Sequence, residues 1–207
     1  MNTPPCCCAT NAIRVAEVGS SATITVETNR LQLRPAVEAD RPRFLELFTD
    51  PEFMAFGAGA LDMEQAHARV DRLIELPNLI PYAKQPVIEK STGQTVGYTG
   101  VDTAVIDGVD RLEWGWRFAT EARGQGYATE AAQALLDVAD RHSDGEMLCI
   151  IAADNAPSHR VAEKLGFTWQ RQIIWPSDHV VTDLLTRSIG NGGGPLLAPQ
   201  RGSTGAG

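Results

Sequence analysis

The sequence predicts a mixed α/β fold of the α+β kind: a central sheet of about six or seven strands with helices packed on it. Three observations carry this. Short alternating runs near both ends of the chain read as strands, and residues 86 to 118 read as a meander of hairpins. A strand, a long helix and another strand then follow between residues 111 and 152. Such a crossover unit makes its two strands parallel neighbours.

The elements follow in order. "RLQLR" (Arg30 to Arg34) alternates polar and apolar residues and stops at Pro35, as a strand does. A helix is expected from Asp40, with Asp40 as N-cap, Pro42 tolerated in the first turn, and Phe44, Leu45, Leu47 and Phe48 as its apolar face. A second helix begins at Asp62, where Gln65 gives capping-box spacing, and turns Ala66, Val70, Leu73 and Ile74 to one side until Pro77. Strands are expected at Pro86 to Glu89, Thr95 to Val101 and Arg111 to Phe118, the first two joined by a turn at "KSTGQ". Next come a long helix over Gln125 to Arg141 and a buried strand over Met147 to Ala152. A short helix over Pro157 to Leu165 is closed by Gly166. The last strands are Thr168 to Ile174 and Val180 to Thr186.

At 207 residues the chain fits one domain, expected over residues 23 to 189. Residues 1 to 22 lack periodicity and residues 190 to 207 are glycine-rich, so both are expected to be disordered tails. Hydrophobic residues at 43% and charged residues at 21% are globular values, and no apolar run reaches the roughly 18 to 20 residues of a membrane span. No basic region precedes an apolar stretch at the start. A soluble, cytoplasmic protein is therefore expected, with no membrane partner. The net charge of −8 argues against nucleic acid as a partner. Cys6, Cys7, Cys8 and Cys149 match neither a zinc site nor a disulfide framework, and the four histidines offer no metal set. No metal is expected.

Residues 121 to 131, "EARGQGYATEA", place two glycines at the start of a helix. A helix N-terminus carries unpaired N–H groups and partial positive charge. Gly124 and Gly126 permit a tight turn and close approach, so that Gln125, Gly126, Tyr127 and Ala128 can offer amides to an anion. A turn that simply needs glycine is the other reading. A dinucleotide fingerprint is excluded because Thr129 occupies the third glycine position, and a Walker loop because Tyr-Ala follows Gly126.

"EWGWRFATEARGQGYATEA" and the later "NAPSHRVAEKLGF" (Asn155 to Phe167) together resemble the GNAT superfamily of acetyl-CoA-dependent N-acetyltransferases, nearest to its ribosomal-protein N-terminal branch. The resemblance spans about Arg30 to Arg187. It implies a GNAT fold with splayed central parallel strands, acetyl-CoA as co-substrate, and its pyrophosphate on Arg123, Gly124, Gln125, Gly126, Tyr127 and Ala128. The pantetheine arm would lie in the splay. Glu121 departs from the family's usual Gln or Arg, and Arg123 is the residue that can compensate. Asn155 resembles the residue that hydrogen-bonds the cofactor arm, and Ser158 the one near the departing sulfur. The tyrosine acid of much of the superfamily is Ala162 here. The resemblance to the N-terminal branch implies Ser158, or a water it holds, as the proton source for the thiolate. A helix cap or first-turn residue is the structural alternative for Ser158.

The acceptor amine must be neutral to attack. In "RLEWGWRF", Leu112, Trp114, Trp116 and Phe118 share one face and leave Glu113, Gly115 and Arg117 on the other. A carboxylate in mid-strand needs a function or a partner. Glu113 is therefore either the catalytic base or the ion-pair partner of Arg111 or Arg117. His159 and His179 are candidates to line the acceptor pocket. The sequence leaves three functions open: acetyl transfer to a protein N-terminus, acetyl transfer to a small amine such as an antibiotic or polyamine, and a silent acyl-CoA-binding module. A homodimer is compatible with the sequence, which leaves the oligomeric state open.

Overall fold

The computed structural model describes residues 14–18, 23–57, 59–80, 82–174 and 180–190. His179 and the triplet Cys6 to Cys8 lie outside them, as do residues 191 to 207. Nine strands form one sheet: β1 (Arg14–Val18), β2 (Thr23–Glu27), β3 (Leu31–Leu33), β4 (Gln85–Glu89), β5 (Thr95–Ile106), β6 (Val109–Phe118), β7 (Gly145–Ala152), β8 (Thr168–Ile174) and β9 (Val181–Ile189). Their spatial order is β1-β2-β3-β4-β5-β6-β7-β9-β8. Four α-helices accompany them: α1 (Arg41–Thr49), α2 (Met63–Glu75), α3 (Tyr127–His142) and α4 (Ala156–Lys164).

Two strands exceed the expected seven. β1 falls inside the stretch expected to be a disordered tail and pairs antiparallel with β2 along its whole length. β2 is held by Ile24 and Val26, which are buried with α3 in the larger core. That burial is a tertiary contact, which five residues of local pattern do not disclose.

The sheet separates two cores. On one face α3 covers Leu112, Trp114 and Phe118 and α4 packs on β7, with Trp116 at the margin, as the alternation in β6 requires. On the other, Phe44, Leu47 and Phe48 of α1 and Ala66, Val70 and Leu73 of α2 close over Tyr98 of β5. The rings of Phe44, Phe48 and Phe53 stand 6.1 to 6.4 Å from that of Tyr98. Glu113, Gly115 and Arg117 face this second layer.

Helix starts follow local chemistry in one case and not in the other. Asp62 and Gln65 form the expected capping box on α2. Asp40 precedes α1 but makes no side-chain cap. Its carboxylate instead takes a bidentate pair from Arg34 at 2.7 and 2.8 Å and the Val37 amide at 2.9 Å. A guanidinium fork offers two charge-assisted bonds where a cap offers one neutral donor.

β6 and β7, sixth and seventh in the sheet order, form its parallel pair. It is joined only at Glu113↔Leu148 and Trp114↔Cys149. Beyond that rung the two strands have no register partners on each other, so Gly115 to Phe118 border an open wedge. No helix among the described residues is long and apolar enough to cross a membrane.

Candidate active site

The wedge leads to the loop between β6 and α3. Gly126 is the N-cap of α3 at φ 79° and Gly124 has φ 76°, a left-handed backbone that favours glycine. The amides of Gly124, Gln125 and Gly126 donate to no carbonyl among the described residues. Those of Tyr127 and Ala128 head the helix, where intrahelical acceptors are lacking. A Cβ on Gly124 would meet nothing within 4 Å, and one on Gly126 only Arg30 Nη2 at 3.7 Å. Open amides under a bare backbone fit a pyrophosphate.

The charged side chains at this loop differ from expectation. Arg123 gives its guanidinium to the carbonyls of Phe118 at 3.2 Å and Glu52 at 2.7 Å, bracing the loop rather than standing as a free cation. Glu121 pairs with Arg43 at 2.7 Å. The cation beside the helix start is Arg30, which donates to the Gln125 carbonyl at 3.0 Å, pairs with Glu130 and lies 4.7 Å over the Tyr127 ring. In the sequence Arg30 is visible only as the first residue of a strand.

Glu113 stands on the joined segment just before the wedge opens, paired with Leu148. Its partner is Lys84, whose Nζ donates to Glu113 Oε2 at 3.0 Å. The expected partners are engaged elsewhere: Arg111 with Glu146 at 3.1 Å, and Arg117 with the carbonyls of Phe53 and Phe56 at 3.1 and 2.6 Å. Lys84 comes from before β4, where Ala83 bridges to Val101. It is distant in sequence, so no spacing near Glu113 pointed to it. Glu113 Oε1 lies over Gly115, 3.1 Å from where a Cβ would be. One oxygen is thus held by the ammonium and the other faces the bare glycine bordering the wedge.

Asp102, opposite Glu113 on β5, continues the network. It accepts from Arg72 at 2.9 Å and lies 3.9 Å from Lys84 Nζ. Burial alone would raise the Asp102 pKa, but Lys84 and Arg72 outweigh it and hold it below the usual value. Burial likewise opposes charge on Lys84, and the Glu113 carboxylate prevails, holding its pKa above the ordinary lysine value.

Asn155 caps α4, its side chain accepting the Ser158 amide at 3.2 Å. Ser158 is therefore in the first turn, as its structural alternative required, and its hydroxyl makes no bond to the described residues. His159 Nε2 lies 3.3 Å from the Ala152 carbonyl and 3.4 Å from Asp183. Cys149 is buried at the joined rung with no disulfide, and burial pushes its thiol well above the ordinary range. Trp114, on the same rung, is wholly buried with its indole N–H unpaired among the described residues.

Residues 30–168 match the family model described as an acetyltransferase (GNAT) domain. The chain belongs to the GNAT acetyltransferases. At 32% identity over 148 residues, 70% of this chain and 86% of the relative, it is similar to the protein YkkB of Bacillus subtilis strain 168, itself described as uncharacterized. A solved GNAT-family acetyltransferase from Bordetella pertussis superposes with TM-score 0.70 at 26% identity, covering 79% of this chain and 98% of that one. The ribosomal-protein α-N-acetyltransferase RimL, solved with coenzyme A, shares the fold with TM-score 0.61 at 18% identity, over 78% of this chain and 95% of that one. Polyamine and aminoglycoside acetyltransferases share it too. This GNAT protein is an acetyl-CoA-dependent N-acetyltransferase.

Proposed function

We propose that this enzyme moves the acetyl group of acetyl-CoA directly to the α-amine of a protein N-terminus. The observation that carries the reading is Glu113: a carboxylate at the closed end of the wedge, with Oε2 fixed by Lys84 and Oε1 over Gly115. The amides of Gly124 to Ala128 hold the pyrophosphate, and strand amides bordering the wedge hold the pantetheine arm, with Asn155 beside it. The thioester carbonyl then lies next to Glu113.

The neutral amine attacks that carbonyl carbon, a C–N bond forms and the C–S bond breaks. The amine proton passes to Glu113 Oε1, directly or through water. The sulfur leaves as a thiolate and takes a proton from the Ser158 hydroxyl or a water it holds. Cys149 does not carry the acetyl group, because a thiol buried on the core face with a raised pKa is neither accessible nor ionised.

The choice of amine follows from the cost of neutralising it. At pH 7 an α-amine of pKa about 7.8 costs roughly 1 kcal/mol to deprotonate, and a lysine of pKa about 10.4 roughly 4.6 kcal/mol. A carboxylate shared with an ammonium suits the first task. The test is a thiol-release assay on peptides with a free N-terminus, N-blocked peptides carrying one lysine, and small polyamines. Turnover confined to free N-termini supports the proposal. Turnover of blocked lysine peptides or polyamines at equal or higher kcat/KM would overturn it.

A further inference from the structure

We propose that the acceptor carries an anionic group a few bonds from its amine, held at the mouth of the narrow cleft between α2 and β5 by Arg69 and Arg72, with Lys84 buried behind them. This rests on the catalytic place given to Glu113 and names the substrate class of the same site. Arg69 and Arg72 line the cleft from α2, Lys84 from before β4, and Tyr98 and Asp102 from β5. Lys84 joins the cleft to Glu113, its ammonium standing 3.0 Å from Glu113 Oε2.

The charges in and beside the cleft do not balance. Arg72 and Lys84 both face Asp102, and Lys84 also faces Glu113. Arg69 forms no ion pair among the described residues. Arg117, opposite Tyr98 on β6, holds only the carbonyls of Phe53 and Phe56 and the sulfur of Met54. Four cations therefore stand against two carboxylates. The same cations bear on Tyr98. Burial should raise its phenol pKa, yet Arg117, Arg69 and Lys84 bring it below the ordinary value.

Such a field attracts an anion and repels a polycation, most strongly where water is scarce. A spermidine or aminoglycoside acceptor would add cations to a site already in excess of them. A peptide whose first or second residue is acidic supplies the missing charge, and so does a free amino acid through its own α-carboxylate. The shared chemistry is a carboxylate close to the amine.

The experiment compares acceptors matched except for that charge. Peptides beginning Ser-Asp, Ser-Asn and Ser-Lys are assayed by thiol release beside a free amino acid, its amide and spermidine. We expect kcat/KM for the Asp peptide to exceed that for the Asn peptide by at least tenfold, chiefly through KM. Arg69→Gln should bring this ratio close to one, while Arg69→Lys retains most of it. Acetylation of the free amino acid over its amide, with peptides refused, supports the anionic site and overturns the N-terminal reading. Equal use of Asp and Asn peptides, preference for the Lys peptide or spermidine, or a ratio unchanged in Arg69→Gln overturns the inference.

Discussion

Lys84 Nζ lies 3.0 Å from Glu113 Oε2, and the two side chains are only 10% and 15% exposed. The gap above Gly115 accommodates the pair, since a Cβ there would press on Glu113 Oε1 at 3.1 Å and Lys84 Cε at 3.2 Å. A buried charge left without its partner is more damaging than the loss of both.

From this follows a stability prediction. Lys84→Met should destabilise the protein by about 3 kcal/mol, the lower end of the range for breaking a buried pair, because Glu113 keeps some contact with solvent. The double variant Lys84→Met with Glu113→Leu should recover most of that loss and remain inactive. Urea denaturation of the three proteins decides it. A double variant no more stable than Lys84→Met would show that the pair does not act as a unit.

At the phosphate loop, Gly126→Val should abolish acetyl-CoA binding by calorimetry and leave the protein folded. A β-branched residue at φ 79° carries strain of order 1–3 kcal/mol, but its Cβ would meet only Arg30 at 3.7 Å, so the core is not disturbed. The isopropyl group would stand among the open amides. Retained affinity would remove the anion-loop assignment.

Asp102 gives a pH signature. A carboxyl whose folded pKa lies below its unfolded value adds stability above the unfolded pKa, here 3.8, and that stability is lost as pH falls through the folded pKa. Asp102→Asn never has it. The variant should be less stable than the parent near pH 7 by about 1–3 kcal/mol, and the difference should shrink as pH falls below about 3.8. Lys84 works at the other end. With its pKa raised, its contribution is complete below 10.5 and disappears as pH climbs through the folded value. Thermal melts of both proteins across pH give the comparison, and a constant difference at acid pH would count against the Asp102 assignment.

What the sequence disclosed and what it hid divide along physical lines. The alternation in "RLEWGWRF" put Glu113 on one face and Trp114 on the other because a strand's period is fixed by its backbone. The capping box at Asp62 and the parallel crossover around α3 are likewise local or topological, and both are present. Lys84 was hidden because its approach to Glu113 depends on Ala83 bridging to Val101, a contact with no local signature. Arg30 was hidden for the same reason, reaching Gln125 across 95 residues of chain. The placement of Arg123 and Asp40 depended on which of several charged neighbours lay nearest, which composition does not tell. β1 and β2 gain their order from pairing and from the α3 core rather than from their own five residues each.

The decisive test of catalysis is Glu113→Gln. Glutamine keeps the size of the side chain and can still accept from Lys84, but it cannot take a proton from the amine. If Glu113 is the base, turnover should fall by a factor on the order of 10² while acetyl-CoA affinity holds. The loss should be largest near neutral pH and should shrink as pH rises toward and past the α-amine pKa of about 7.8, because free amine then becomes abundant and a base redundant. If Glu113 only balances Lys84, the variant should lose stability, turnover per folded molecule should hardly change, and the pH profile should keep the shape of the parent's. The two outcomes differ in the pH profile as well as in magnitude, so partial unfolding of the variant cannot imitate the first. A flat ratio of parent to variant turnover across pH would leave Glu113 as a structural partner of Lys84 and assign the proton to solvent water.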